Sequence, residues 1–182
     1  MATIKQLRYA AIARGRGIRN ALIAIEEGAK VGIGPALAIA IMEKESGGKN
    51  VWGHDPTIFI GGYDRKNRRY WTNRLKWRGY VNEAGYREYK RQRGPTGRGG
   101  MQGVGPCQLT WYAIQDAADR LGGCWKPRIN IRVGFTTLAA LIEAHGLQQG
   151  IRRYNGSGPR AEAYARDVLE KRAQWRDRFG MK

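Results

Sequence analysis

The sequence predicts a mainly helical α+β protein, and three observations point to this class. Residues 1–50 and 107–179 carry apolar residues at helical spacing. Between them, residues 51–106 are rich in glycine turns and read as irregular or β structure. The segments TIFIGGY and RRYW hold β-favouring residues at a hairpin-like separation, which predicts a small β element. With no internal repeat or interdomain linker, we expect a single domain over residues 1–182.

The first strong helix prediction starts at Pro35. Proline is favoured at the first helical position, and Gly34-Pro35 precedes the segment ALAIAIMEKES. The segment is apolar on nearly every face until Glu43, which predicts a helix buried in the middle of the domain. Ser46-Gly47-Gly48 should end it. Glu45 is therefore expected in the last turn, where the buried helix reaches the surface.

The C-terminal part predicts three further helices. The first stops at Gly122-Gly123, the second runs from about Asn130 to His145, and the third begins near Pro159. On the second helix, His145 lies on the apolar face and is therefore expected to pack in the core. The apolar stripe of the third helix is predicted to consist of Ala161, Tyr164, Ala165, Val168, Leu169 and Trp175.

Basic charge is the most unusual property of the composition. The chain has 33 Lys and Arg against 15 Asp and Glu, a net charge of +18. Residues 64–100 form a basic insertion, with a local charge of +9 over residues 64–98. Such a field attracts polyanions, which include nucleic acid, anionic membrane surfaces and acidic wall polymers.

Aromatic residues are interleaved with the basic residues of the middle segment, which contains this insertion and extends over residues 51–106. Their faces can stack on sugar rings or on bases. We expect about half of them to form the insertion's own small core instead. The seven residues are Tyr63, Tyr70, Trp71, Trp77, Tyr80, Tyr86 and Tyr89.

Cysteine and histidine indicate neither a disulfide framework nor a metal centre. Cys107 and Cys124 are expected to be buried thiols, although one bridge between them is left open. His54 and His145 have no neighbours at metal-ligand spacing, so we predict no metal and no cofactor.

Lysine and arginine interrupt the first twenty residues, so no signal peptide is expected. The longest apolar run is much shorter than the ~20 residues of a membrane span.

Glu45 is the best candidate for acid–base chemistry. A carboxyl group at the end of an apolar helix is partly desolvated, which raises its pKa. A general acid needs a raised pKa to keep its proton near neutral pH. Glu43 is a rival, but it lies two positions away and so points to a different helix face. An ordinary helix-end ion pair would equally account for either residue taken alone.

Four segments in order resemble the lytic transglycosylases and goose-type lysozymes of the lysozyme-like superfamily. IMEKESGGKN resembles the end of their catalytic helix, with Glu45 as the catalytic acid and Ser46 after it. GVGPCQLT resembles their Gly-x-Met-Gln segment, and Cys107 replaces the usual methionine. NIRVGFTTLAAL resembles their Asn-Ile-x-x-Gly helix. RRYNGSG and AEAYARDVLEK resemble their Tyr-Asn-Gly turn and final Tyr-x-x-x-Val helix.

The resemblance implies a lysozyme-like fold that cleaves the MurNAc–GlcNAc bond of peptidoglycan strands. Glu45 would protonate the glycosidic oxygen, and the 6-hydroxyl of the sugar would then attack to give a 1,6-anhydro product. In the alternative, a hydrolytic muramidase, a second carboxylate activates water, and the candidates are Asp55 and Asp64. Ser46, Gln108, Tyr154 and Asn155 are the predicted substrate-binding residues, with Tyr154 near the acid and Gln108 beneath the sugar.

These expectations describe a monomeric phage endolysin that stays in the host cytoplasm until lysis, with a virion-associated lysin as the open alternative. Anionic wall polymers or the membrane surface are further possible partners, and no specific nucleic acid is expected. A basic nucleic-acid-binding domain is a non-enzymatic alternative, which would lose affinity steeply with salt. A virion structural domain without activity is another.

Overall fold

The computed structural model describes residues 2–53, 79–98 and 100–181, and the backbone alone of residues 63–64 and 69–70. The described residues are mainly helical, as the sequence predicts. They form two short strands, β1 and β2, and eight α-helices. The bounds are α1 Ile4–Gly15, α2 Ala21–Lys30, α3 Pro35–Glu45, β1 Tyr63–Asp64, β2 Arg69–Tyr70, α4 Glu83–Arg93, α5 Tyr112–Arg120, α6 Pro127–His145, α7 Leu147–Asn155 and α8 Pro159–Phe179.

The helix that ends at Glu45 forms as predicted. Gly34 is its N-cap and Pro35 occupies the first turn, where a missing N–H costs nothing. Ser46 is its C-cap. Residues 36–42 are all buried, so this helix is enclosed on every side until Glu43. Each buried Leu, Ile or Met side chain there contributes about 1.5–3 kcal/mol to folding.

The chain divides into two compact units. Unit 1 consists of Met1–Gly48 and Ile131–Lys182, and it contains the central helix α3. Within this unit α3 packs on α2 and α8, and α7 packs on α8. The predicted apolar stripe of α8 is confirmed: Ala161, Tyr164, Ala165, Val168 and Trp175 are buried and Leu169 is half-buried.

Unit 2 consists of Lys49–Asn130. Here the prediction of irregular or β structure is wrong for residues 83–93, which form α4. The Asn82 side chain accepts a hydrogen bond from the Gly85 N–H and starts the helix. Tyr86, Tyr89 and Arg93 then face the interior at helical spacing. This periodicity is present in the sequence beneath the charged residues.

The small β element lies where the sequence predicts it. Strands β1 and β2 pair antiparallel, with Tyr63 opposite Tyr70 and Asp64 opposite Arg69. Both thiols of unit 2, Cys107 and Cys124, are free and buried, as expected.

The C-terminal helices differ from the prediction in three details. Helix α6 begins at Pro127, three residues before Asn130. Residues Leu147–Asn155 form a separate helix, α7, in a segment where the sequence pattern predicts only a turn. His145 is exposed, so its expected core position is wrong. It is the last residue of α6, beyond the part of the helix that faces the core.

None of the helices in the described part of the chain is long and apolar enough to cross a membrane.

Candidate active site

Glu45 lies at the C-terminal end of α3, beside α8. Its carboxylate accepts a hydrogen bond from the hydroxyl of Tyr164, in the second turn of α8. Tyr164 is buried, and Glu45 is half-buried. Lys44 Nζ lies 5.7 Å from the centroid of the Tyr164 ring. A carboxyl group is thus held at the end of a buried helix by a hydrogen bond from α8.

Burial raises the pKa of Glu45 from 4.5 to about 7. Loss of hydration disfavours the charged form, and this is the largest effect. The hydrogen bond from Tyr164 and the positive charge of Lys44 oppose it and lower the pKa. At neutral pH the group is therefore close to half protonated, and it can both give and take a proton.

Glu43, the rival acid, has a different environment. Its carboxylate accepts a hydrogen bond of 2.6 Å from the indole Nε1–H of Trp175. It also accepts one of 3.2 Å from Lys171 Nζ. Both partners lie on α8, so Glu43 ties the two helices together. The structure therefore separates the two carboxylates by their partners: Glu43 is bound in an ion pair with Lys171, and Glu45 accepts a hydrogen bond from Tyr164.

A second ion pair links the same two helices. Lys44 Nζ lies 2.6 Å from Asp167 Oδ2, and Lys171 Nζ lies 3.6 Å from Asp167 Oδ1. These interactions lower the pKa of Asp167, with the Lys44 hydrogen bond as the largest cause. Asp167 is thus paired with Lys44, the cation whose positive charge lowers the pKa of Glu45.

The turn after Glu45 is fixed by the loop between α1 and α2. The Arg19 N–H donates to the Gly47 carbonyl at 2.9 Å, and the Asn20 side chain donates to the Gly48 carbonyl at 2.8 Å. Gly48 has a φ of +72°, and a Cβ there would lie 1.9 Å from the Arg19 carbonyl oxygen. Only glycine allows this close approach. The second glycine of the motif therefore holds the end of α3 in place.

In unit 2, two of the motif segments meet at Asn130. Its side chain accepts a hydrogen bond of 2.9 Å from the Cys107 N–H and donates one of 2.8 Å to the Val104 carbonyl. Asn130 is fully buried, and a Cβ at Gly105 would lie 2.6 Å from its Nδ2 atom. The segment GVGPCQLT and the start of α6 are thus joined by one buried amide.

Gln108 supports backbone in the same unit. Its Nε2 donates to the carbonyls of Gly105 at 2.8 Å and Val51 at 3.1 Å. The backbone φ of Gln108 is +47°, which is unusual for a residue other than glycine. These bonds engage the side-chain N–H groups in structure, and a role beneath the sugar stays a prediction.

The other predicted substrate-binding residues lie at helix ends in unit 1. Ser46 is the half-buried C-cap of α3. Tyr154 and Asn155 are the last two residues of α7, so they belong to a helix and not to the expected turn, which begins at Gly156. Tyr154 is half-buried and Asn155 exposed. Their contact with substrate stays a prediction.

The two candidates for a second acid are not placed by the structure. Asp55 lies outside the described residues, and so does His54. Asp64 is in β1, where the backbone alone is described. Elsewhere in the described chain, no cluster of three or more His, Cys, Asp or Glu residues is arranged to hold a metal ion.

The side chains of three of the seven aromatic residues of the middle segment are described. Tyr86 and Tyr89 are buried and cannot stack on an external ring, whereas Tyr80 is 75% exposed. Tyr89 belongs to a buried hydrogen-bond network, in which its hydroxyl accepts from the Gln102 N–H and donates to Gln115 Oε1. Arg93 is also fully buried and lies 2.7 Å from Asp116. Part of this basic segment is therefore core of unit 2.

The arrangement at Glu45 is suited to proton transfer, and it includes Tyr164, a residue to which the sequence pattern assigns no role at the acid. The pattern places Tyr164 only in the Tyr-x-x-x-Val helix, and Tyr154 is the tyrosine that it predicts near the acid. Tyr164 and Val168 are the buried positions of that helix pattern. This helical pattern is the sequence signal that could have indicated a buried partner for Tyr164. A tyrosine on the core-facing stripe of a helix needs a hydrogen-bond partner for its hydroxyl.

Comparisons of the chain with protein families, with curated proteins and with solved structures give no match.

Proposed function

We propose that this protein is a peptidoglycan-cleaving glycosidase of the lytic transglycosylase type, with Glu45 as its general acid and base. One observation carries the proposal: the carboxyl of Glu45 has a pKa of about 7 and is held by the Tyr164 hydroxyl at the end of a buried helix, in a residue that is itself only half-buried. The ordered resemblance of four segments names the substrate. A lysozyme-like fold is part of the same proposal.

In the first step the protonated Glu45 gives its proton to the glycosidic oxygen as the bond between MurNAc and the next GlcNAc breaks. Glu45 becomes a carboxylate, and the hydroxyl of Tyr164 stabilises the new negative charge. Hydrogen bonds to charged groups are worth about 1.5–3 kcal/mol. The carboxylate then takes the proton of the sugar's 6-hydroxyl, which attacks the anomeric carbon and forms the 1,6-anhydro ring.

The ion pairs around Glu45 favour this route, which requires a single carboxylate. Glu43 and Asp167 are the other carboxylates on the contact of α3 with α8, and both are engaged by lysine. Neither resembles a free base that could activate water. A hydrolytic muramidase would depend on Asp55 or Asp64.

Glu45→Gln tests the proposal. The variant keeps an oxygen that can accept from Tyr164, but it has no proton to give. We expect loss of clearing of purified cell walls by a factor of about 10³ or more, with wall binding retained. Glu170→Gln, at an exposed carboxyl of α8, is the matched control and should clear walls normally. Normal clearing by Glu45→Gln would show that the assignment is wrong.

A further inference from the structure

Unit 1 contains a cavity of about 510 Å³ at the N-terminal end of α3. Glu45 lies at the opposite, C-terminal end of this helix. The ten helical steps between Pro35 and Glu45 separate the two sites by about 15 Å along the helix axis. The cavity is formed by the loop between α2 and α3, the first turn of α3, and the C-terminal halves of α6 and α8. No role in the proposed reaction uses these residues.

The walls of the cavity are largely apolar. They include Ile33, Leu37, Ile142, Leu147 and Met181. Ile33 and Leu37 are nearly fully buried, and the other three are half-buried. A surface of this kind binds an aliphatic chain because the chain removes its own apolar area from water together with that of the wall.

Positive charge stands at one side of this apolar surface. Arg172 and Arg176 line the cavity one turn apart on α8, and both are half-buried. Within the described residues, Arg172 has no carboxylate within ion-pair distance. Like charges at this spacing repel each other. A guanidinium in this position is suited to binding a carboxylate through paired N–H groups.

The first turn of α3 adds to the positive potential. Its N-cap is Gly34, which supplies no side-chain acceptor, so the N–H groups of Ala36 and Leu37 have no capping partner. Both residues line the cavity. Glu143 is the carboxylate at the rim and is exposed, so the net side-chain charge of the lining is +1. The balance favours a monoanion.

We propose that this cavity is a binding site for an unbranched aliphatic carboxylate, with its head group on Arg172 and Arg176 and its chain against the apolar walls. The site is independent of the proposed reaction, since it shares no residue with the Glu45 site. Binding should therefore be detectable in Glu45→Gln as well as in the unmodified protein.

Octanoate is the probe. Octanol, which lacks the carboxylate, and acetate, which lacks the long aliphatic chain, are the matched controls. Titration followed by methyl NMR should show saturable binding that shifts Ile142 and Leu147. Removing either half of the ligand should weaken binding by about tenfold or more, because head group and chain each contribute more than about 1.4 kcal/mol. Equal binding of octanol would reduce the site to an apolar pocket, and equal binding of acetate would reduce it to surface charge. Either result overturns the proposal.

Variants separate the two parts of the site. Arg172→Gln should weaken octanoate binding by about tenfold, whereas Arg166→Gln, the same change on an exposed part of α8, should leave it unchanged. Ala139→Phe fills the cavity without changing its charge and should also weaken binding. Equal loss in Arg166→Gln would overturn the proposal, as would full affinity in Ala139→Phe. Shifts of Ile142 that follow protein concentration and not octanoate would also overturn it, because they would show that a second copy covers the cavity.

Discussion

Replacing Glu45 by glutamine should stabilise the protein at alkaline pH and not at acidic pH. The pKa of Glu45 is about 7 in the folded protein, against 4.5 for the group in water. Between these values the folded state holds a proton that the unfolded state has released, so the stability of the unmodified protein falls as pH rises. Above about pH 8 the full cost of ionising a desolvated carboxyl is present. Glutamine never bears this cost.

The size of this change in stability follows from the rise in the pKa of Glu45 on folding. A rise of about 2.5 units at 1.36 kcal/mol per unit gives an upper limit of about 3 kcal/mol. For a chain of this length, 1 kcal/mol corresponds to about 2–4 °C in the melting temperature. Relative to the unmodified protein, Glu45→Gln should therefore gain up to about 6–12 °C on going from pH 4 to pH 8.

Thermal unfolding followed by circular dichroism over this pH range measures the difference directly. Glu170→Gln carries the same loss of charge at an exposed position and should show no comparable rise with pH. A melting difference for Glu45→Gln that is the same at pH 4 and pH 8 would refute the reasoning, because it would mean that Glu45 titrates alike in the folded and unfolded states.

Three further predictions concern residues around the site and the core. Tyr164→Phe removes the hydrogen bond that lowers the pKa of the candidate acid Glu45. We expect kcat for wall cleavage to fall about tenfold and the alkaline limb of its pH profile to shift to higher pH. An alkaline limb at the same pH would contradict the contact between Tyr164 and Glu45. Gly48→Ala should cost about 3 kcal/mol or more in denaturant unfolding, against about 1 kcal/mol for Gly47→Ala, which meets open space; equal costs would refute the close approach of the Arg19 carbonyl. Asn130→Ala should cost about 2–4 kcal/mol by the same measurement, because the buried Cys107 N–H loses its acceptor, and a cost below about 1 kcal/mol would contradict this.

Local signals account for what the sequence predicts well about this chain. The start of α3 depends on Gly34-Pro35 and its end on Ser46-Gly47-Gly48, all within one short segment. The apolar composition between them is sufficient to predict burial. For the same reason the sequence alone places Glu45 at the boundary of the core.

Contacts between distant segments explain what the sequence does not reveal. Glu45 and Tyr164 are 119 residues apart, and no local pattern shows that their side chains meet. Glu43 and Glu45 differ chiefly in which residues of α8 they face, so sequence alone cannot separate an ion pair from a candidate acid. The missed helix α4 is a different case, since Tyr86, Tyr89 and Arg93 have helical spacing that the surrounding charge obscures.

Gln108 illustrates a third kind of limit. Its side chain hydrogen-bonds to backbone at Gly105 and Val51, and its own φ is positive. A glutamine in a family-like motif suggests contact with substrate, but the observed bonds depend on loop geometry that propensity does not describe.

The mass spectrum of the products released from purified peptidoglycan tests the central claim most directly. We predict muropeptides that end in 1,6-anhydro-MurNAc, formed by the unmodified protein and by Glu170→Gln but not by Glu45→Gln. Reducing ends in place of the anhydro ring would contradict the transglycosylase route and indicate a water activated by a second acid. Release of no glycan fragments by the unmodified protein would contradict glycosidase activity altogether.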